Sequence, residues 1–331
     1  MPGDRNYEWQ GFVPLEELPR SSNPQKAFVA TANHKIIPAT DPHPIGFEWS
    51  PPYRFQRIQQ ALSDAGDHKL GLEEMQALQN DVRSLPAQQL LKLLSTTEAK
   101  RGPAAKMLLG WNGELTRQSP AAALYEVWLR ILRRRLTELA APVNLRKAVE
   151  DELAMPVMLR WLQHPERGPL ARTSPGKSAS LLRDLFLTES LSAATAEISR
   201  LQGSDPAKWA WGKLHVVRFR HPLDRLPEGN SFDLGPVERP GDGFTVNSTG
   251  TGSAGYGQTS GASFREILDL SNWDRSLAIN TPGQSGVPGS KHYSDLLPLW
   301  SVGEYFPLLY SREAVEKNVE QRIVLQPAAQ R

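Results

Sequence analysis

The spacing of apolar residues changes once along this chain, and that change limits the folds it can adopt. From about residue 53 to residue 202, apolar side chains recur at helical spacing. The stretch ALYEVWLRILRRRLTEL, which follows the capping pair Ser119-Pro120, places one apolar stripe along a helix: Leu124, Val127, Trp128, Ile131, Leu132 and Leu139. From residue 205 the spacing shortens to the two-residue period of strands. Helices followed by strands predict an α+β fold.

Local signals give expected bounds for the other elements. A short β-prone run predicts a strand over residues 27–32, and Tyr53 opens a helix after a loop dense in proline. We expect further helices at residues 181–186, 193–201 and 311–319, strands at 211–223, 263–270, 276–280 and 321–325, and a flexible Gly/Ser/Thr-rich connection over 229–262. The pattern divides the chain into three segments: residues 1–58, 59–203 and 204–331.

Composition excludes several classes of function. The chain has 331 residues and no cysteine, so disulfides, thiol catalysis and cysteine metal sites are excluded. The net charge of +2 gives no reason to expect a nucleic-acid or membrane partner. No apolar stretch approaches the ~20 residues that span a bilayer. The N-terminus lacks a signal peptide, which predicts a cytoplasmic chain if the protein is made as written.

Two phosphate-binding motifs fail on their context. Gly176-Lys177-Ser178 resembles the end of a P-loop, but Ala171 stands where the first glycine is required. The spacing G-x-G-x-x-G occurs at Gly250, Gly252 and Gly255, yet the sequence YGQTSG that follows does not favour a helix and no βαβ unit surrounds it. The arginine run at residues 133–135 is more typical of a solvated helix face than of a phosphate site.

Histidine and serine candidates are also weak. His215 and His221 lie in a strand-to-turn segment with no carboxylate cluster, which favours structural roles over metal ligation. Ser285, His292 and Asp295 contain the residue types of a catalytic triad. However, no G-x-S-x-G elbow is present to expose the serine. We therefore do not assign the nucleophile to Ser285.

Two blocks of sequence resemble a known family. Residues 23–58 contain ATANHKIIP and EWSPPYRFQRI, and residues 283–295 read GQSGVPGSKHYSD. Both runs are similar to those of the penicillin acylase family of N-terminal-nucleophile hydrolases, which includes acyl-homoserine lactone acylases. The resemblance implies an αββα sandwich, here with a helical insertion. It also implies a precursor that cuts itself into an α and a β chain, whose new N-terminal serine attacks linear amides and uses its own amine as the base.

The resemblance assigns candidate site residues by position. Asn33 matches the asparagine that stabilises the oxyanion, and Arg54 matches an arginine that positions the active site. His34 replaces the family's second asparagine and is a candidate substrate-binding residue. The family's chemistry requires no cofactor. A structural calcium ion is held partly by an acidic residue in the loop before the arginine, where Asp41 and Glu48 are weak candidates.

The family's nucleophile has no counterpart here, since the chain begins Met1-Pro2. We therefore expect the C-terminal part of a β chain, with the α chain and the N-terminal part of the β chain as partners and a small amide as substrate. Acylated β-lactams and acyl-homoserine lactones are the expected substrates. The resemblance also implies a compartment, since members of the family are often periplasmic or secreted. Alone, the chain should be inactive and expose apolar surface. The alternative is a non-catalytic remnant or binding protein that retains part of the fold.

Overall fold

The computed structural model describes residues 3, 6, 8, 11–223, 226, 232–252 and 255–327. Tyr7, Trp9 and the tail from residue 328 lie outside the described residues. The α-helices are α1 (Tyr53–Asp64), α2 (Leu72–Gln79), α3 (Leu85–Leu94), α4 (Pro103–Leu109), α5 (Pro120–Ala140), α6 (Arg146–Glu152), α7 (Met155–Gln163), α8 (Ala179–Gln202), α9 (Trp211–Leu214), α10 (Leu297–Val302) and α11 (Arg312–Lys317).

Strands follow the long helices, as the change of period predicts. They are β1 (Val216–Phe219), β2 (Leu234–Glu238), β3 (Thr249–Thr251), β4 (Gln258–Gly261), β5 (Arg265–Ile267), β6 (Leu277–Ile279) and β7 (Phe306–Pro307). In the described part of the chain they form three small antiparallel sheets, β1-β2, β3-β4 and β5-β6-β7. The mixture of helix and strand agrees with the α+β prediction, while the layered αββα arrangement stays a prediction.

Helix α5 forms the centre of the main core. Its first turn is capped as expected, because the Ser119 hydroxyl accepts a hydrogen bond from the Ala122 N–H at 3.1 Å and Pro120 occupies the first helical position. Tyr125, Trp128 and Leu132 have no exposed surface. The predicted stripe is too narrow, since Ala122 and Ala123 are fully buried as well. Helix α8 packs along α5 and completes this core.

A second, smaller core joins the sheets to α10. Val217, Ile279, Leu297 and Trp300 bury their side chains together. The Trp300 indole donates a hydrogen bond to the Ala262 carbonyl at 3.0 Å, and the Arg239 guanidinium lies 3.8 Å from the centre of its ring. This cation–π contact offsets part of the cost of burying the arginine.

The predicted strand over residues 27–32 is wrong. Residues 13–52 contain no strand, and both Ala27 (φ 58°) and Asn33 (φ 60°) have left-handed backbone conformations that interrupt an extended run. The closing strand at residues 321–325 is also wrong. This segment is exposed, with Leu325 at 90% of its full exposure, and no strand in the described chain pairs with it. A β-prone run becomes a strand only where a partner pairs with it.

One predicted strand and one predicted pair of helices need correction. The expected strand over residues 211–223 begins with the single helical turn α9, and only β1 is extended. Burial of Trp211, whose indole donates to the Gly241 carbonyl at 2.8 Å, overrides the strand pattern there. The helices expected at 181–186 and 193–201 are one helix, α8. The polar residues between them do not break it, because Leu187 and Leu191 in the same stretch are buried in the main core.

The connection over residues 229–262 is more ordered than predicted. It contributes β2, β3 and β4, and its central turn is buried. The Asp242 carboxylate accepts hydrogen bonds from the N–H groups of Phe244 and Thr245, at 2.7 and 2.8 Å. These hydrogen bonds stabilise the turn, although its segment is polar and has no regular pattern of apolar residues.

Two carboxyl groups are buried together where this turn meets α5. Glu126 is 7% exposed and Asp242 is 3% exposed, and Glu126 Oε1 and Asp242 Oδ2 have no hydrogen-bond partner among the described residues. Burial, then the neighbouring Asp242 charge, holds the pKa of Glu126 well above its ordinary value. Burial likewise raises the pKa of Asp242. The pair therefore keeps a proton to a higher pH than exposed carboxyl groups do.

This pair predicts a loss of stability as pH rises. Because both pKa values are raised on folding, the stabilisation is fully present below about pH 4, the ordinary carboxyl range, and is lost as pH rises through the raised values. Replacing Glu126 with glutamine mimics the neutral acid, so Glu126→Gln should flatten the decline of the unfolding free energy as pH rises above about 4, measured with urea. The control Glu138→Gln, an exposed position on α5, should keep the wild-type slope. An unchanged slope in Glu126→Gln would contradict the raised pKa of Glu126.

None of the helices in the described part of the chain is both long and apolar enough to cross a membrane.

Candidate active site

Asn33 lies at the base of a proline-rich loop that ends where α1 begins. The Ser50 N–H donates to the Asn33 carbonyl at 2.8 Å, which closes the loop. Asn33 has φ 60°, a left-handed conformation that asparagine tolerates better than most residues. Pro52 precedes α1, so the helix starts three residues after the Ser50 contact that closes the loop. The loop therefore brings Asn33 next to the first turn of α1.

Arg54, in that first turn, contacts the side chain of Asn33. Its Nη2 atom donates a hydrogen bond to Asn33 Oδ1 at 3.0 Å. Because a guanidinium group has only donors, the amide of Asn33 must present its oxygen to Arg54. Its Nδ2 hydrogens are then directed away from the arginine, on an exposed side chain. The structure thus brings together the two residues that the resemblance paired, and it leaves an amide donor free to contact another group.

His34, the next residue, packs against α1. Its ring stacks on Phe55 with the ring centres 3.7 Å apart and the planes 12° from parallel. The Nδ1 atom is buried and has no hydrogen-bond partner among the described residues. Burial lowers the pKa of His34, so the ring is neutral at pH 7. Sequence reasoning assigned no role to Phe55, and the only signal for it was its place in the run PPYRFQRI.

Arg57, one turn later, has a different partner. Its Nε and Nη2 atoms donate to Asp81 Oδ2 at 2.9 and 2.7 Å. Both side chains are mostly buried. This charge-assisted pair anchors α1 to the segment before α3. Arg57 is thus a structural contact, and Arg54 is the arginine of α1 that reaches Asn33.

The acidic loop residues have ordinary local contacts. Asp41 Oδ1 accepts a hydrogen bond from the His43 N–H at 2.9 Å, and His43 Nε2 contacts Glu17 Oε2 at 2.5 Å. Glu48 is exposed. Across the described residues, no three His, Asp or Glu side chains group to hold a metal ion. Calcium at Asp41 or Glu48 stays a prediction.

The serine candidate near the C-terminus does not form a triad. His292 Nδ1 lies 2.7 Å from Asp295 Oδ2. The Ser285 hydroxyl, however, accepts a hydrogen bond from the Val287 N–H at 3.1 Å, and the Ser285 N–H donates to the His292 carbonyl at 2.9 Å. The serine therefore caps a turn.

The remaining candidates have structural contacts. His215 is fully buried, its ring lies 4.6 Å from that of Trp211, and its Nδ1 lies 2.7 Å from the Tyr256 carbonyl oxygen. Burial lowers the pKa of His215 to about 4, so it is neutral. His221 packs edge-on to Phe232, with the ring centres 5.3 Å apart.

The glycine motif and the arginine run, both considered for phosphate binding, have other roles. Gly250 belongs to β3, which pairs with β4, so no helix follows the glycine motif. The arginine run is not simply a solvated face, and that interpretation is wrong for Arg135. Its guanidinium donates to Ser190 Oγ at 2.9 Å and to Glu189 Oε2 at 2.8 Å on α8.

Comparisons with known proteins identify the family of this chain. The sequence profile of the penicillin amidase family matches residues 1–317. The chain is 32% identical to a penicillin acylase 2 proenzyme from Pseudomonas sp. (strain SE83) over 341 residues, covering 98% of this chain and 42% of that protein. It is 28% identical over 365 residues to an acyl-homoserine lactone acylase, QuiP, from Pseudomonas syringae pv. tomato, again covering 98% of this chain and 42% of that protein.

A solved structure has a similar fold. It is a thermostable penicillin G acylase from Alcaligenes faecalis, with a TM-score of 0.61 and 18% sequence identity, and the match covers 98% of this chain and 61% of that one. The chain thus spans 42% of the length of these curated relatives. With a family profile that matches nearly its whole length, the chain belongs to the penicillin amidase family.

Proposed function

We propose that the chain is the C-terminal portion of the β chain of an amidohydrolase that cleaves linear amides. Asn33 supplies one hydrogen-bond donor to the oxyanion, and Arg54 holds the Asn33 amide in the orientation that presents this donor. The observation that carries the proposal is the 3.0 Å hydrogen bond from Arg54 Nη2 to Asn33 Oδ1. It supports the role because it leaves the two Nδ2 hydrogens of Asn33 for another acceptor.

The nucleophile is proposed to come from the part of the relatives that this chain does not match. A serine at a chain N-terminus attacks the amide carbonyl, and its own amine takes the hydroxyl proton and passes it to the leaving amine. The carbonyl oxygen becomes negative in the tetrahedral intermediate. A donor placed toward that oxygen before reaction stabilises the charge without reorganisation. In this scheme the α chain and the N-terminal part of the β chain are the partners.

The proposed substrates are acyl amides of small molecules. The relatives are named as penicillin acylases and acyl-homoserine lactone acylases, so acylated β-lactams and acyl-homoserine lactones are the two substrate classes to compare. Both contain an acyl group joined to an amine through a linear amide. The chemistry requires no cofactor, and a structural calcium ion near Asp41 stays a separate proposal.

The test is amide hydrolysis by the full gene product on a panel of phenylacetyl and fatty-acyl nitroanilides. We expect the wild type to release nitroaniline from one class of acyl group. Arg54→Ala removes a hydrogen bond to a charged group, worth about 1.5–3 kcal/mol, so kcat should fall about 10- to 100-fold. Arg54→Lys, which keeps a positively charged donor but not the planar guanidinium group, should lose less.

A matched arginine separates this role from general charge. Arg172 is exposed, in the 3₁₀ turn Pro169–Arg172, and Arg172→Ala should leave hydrolysis unchanged. Hydrolysis that survives Arg54→Ala at the wild-type rate would remove Arg54 from the proposal. No release from any member of the panel by the wild type would favour the non-catalytic binding protein.

A further inference from the structure

Asn33 and Arg54 are joined by two neighbouring contacts rather than one. The hydrogen bond runs from Arg54 to Asn33 at 3.0 Å. The residue after each of them makes the second contact, since His34 and Phe55 stack with ring centres 3.7 Å apart. The same two-residue pieces of loop and helix are therefore held by a polar contact and by an aromatic one.

The polar contact alone leaves the Asn33 amide free to turn. The side chain is exposed, so water competes for the hydrogen bond with Arg54. The backbone of Asn33 is held on its carbonyl side by the Ser50 N–H at 2.8 Å. The His34 ring holds the backbone at the next residue. With its left-handed backbone held at its own carbonyl and at His34, the Asn33 side chain has few orientations available.

One face and one nitrogen of the His34 ring are closed to a substrate. One face of its ring is covered by Phe55, and its Nδ1 atom is buried without a partner among the described residues. The ring therefore contributes shape and stacking at this position. Since stacked aromatic pairs add stabilisation beyond the area that they bury, the contact has the energy to select one arrangement of the loop.

We infer that His34 is a positioning residue, whose stacking on Phe55 fixes the direction of the Asn33 amide. This role replaces the substrate-binding role expected for His34, and it rests on the proposed function of Asn33. An aromatic side chain of any kind satisfies the requirement, whereas an asparagine or alanine at position 34 does not. The imidazole nitrogens take no part in the chemistry.

Kinetics of three variants test the inference on the full gene product. His34→Phe keeps the stacked ring without the nitrogens and should keep kcat within about twofold of the wild type. His34→Ala and His34→Asn lose the stack and should lower kcat about three- to ten-fold, with KM little changed. Tyr310→Ala removes a ring from another aromatic pair, in a tilted contact 5.2 Å from the Trp273 ring, and should change neither value. If His34→Phe loses as much as His34→Ala, the nitrogens matter and the inference is wrong.

A second measurement does not depend on activity. Nitrogen-labelled asparagine gives a side-chain amide resonance for Asn33, identified by its loss in Asn33→Asp. Loss of the stack should shift or broaden this resonance in His34→Ala and leave it unchanged in His34→Phe. An unchanged resonance in His34→Ala would overturn the inference. Changes of this kind in a protein without amidase activity would support the positioning while refuting the proposed function.

Discussion

Asn33→Ala is expected to lower kcat for amide hydrolysis by about 10²–10³-fold, the usual cost of losing one oxyanion donor. The substrate binds before the negative charge develops, so KM should change little. The geometry supports a large effect because Arg54 occupies Asn33 Oδ1 at 3.0 Å, which leaves the Nδ2 group to donate. The measurement is steady-state kinetics on the nitroanilide that the wild type hydrolyses fastest.

Asn33→Asp separates donation from structure. Aspartate has the same shape and keeps an oxygen for Arg54, so the contact with α1 is retained or strengthened. It has no N–H group, however, and its charge repels an oxyanion. We expect Asn33→Asp to lose at least as much kcat as Asn33→Ala while the melting temperature stays close to that of the wild type. Retained activity in Asn33→Asp would mean that Asn33 acts only through its contact with Arg54.

The backbone conformation requires its own controls. Asn33 has φ 60°, so alanine there adds strain of about 1–2 kcal/mol. Asn33→Gly removes the side chain without that strain and should lose kcat as Asn33→Ala does. Asn23, an exposed asparagine with φ 47° ten residues before Asn33, is the matched position, and Asn23→Ala should leave kcat unchanged. A loss in Asn23→Ala equal to that in Asn33→Ala would mean that backbone strain, and not the lost side chain, lowers kcat.

The elements that were predicted correctly depend on local signals. Ser119-Pro120 and Ser311 cap helices with bonds to N–H groups three residues ahead, at 3.1 Å in both cases. These contacts need only the neighbouring residues, so the sequence is sufficient to predict them. The strands β5 and β6 follow in the same way from their alternating pattern, with shorter bounds than expected.

The site itself depends on contacts between distant residues. Asn33 and Arg54 are named by family resemblance, but their hydrogen bond spans 21 positions and requires the Ser50 N–H to close the loop. Nothing local indicates that Phe55 would receive the His34 ring. The buried turn around Asp242 shows the same limit. Its polar groups satisfy one another only after folding, with Thr245 donating to Asn247 Oδ1 at 2.6 Å, so its composition is that of a flexible linker.

The largest loss of stability is expected from Trp128 at the centre of α5. This side chain has no exposed surface and belongs to the main core. Trp128→Ala leaves a cavity that α5 and α8 cannot fill, and such changes cost about 3–5 kcal/mol. Because a domain has only about 5–15 kcal/mol in total, much of the population should unfold near physiological temperature. The measurement is the unfolding free energy in urea.

Trp128→Phe distinguishes packing from hydrogen bonding in the same core. The Trp128 Nε1 atom has no hydrogen-bond partner among the described residues, so phenylalanine gives up volume but no polar contact. Its cost should be well below that of alanine, because most of the ring is kept. Trp273→Ala, at a position with 44% exposure, is the control for losing an indole outside the core and should cost less than Trp128→Ala. Equal losses for Trp128→Phe and Trp128→Ala would mean that a bond at Nε1, rather than the filled volume, holds α5 in place.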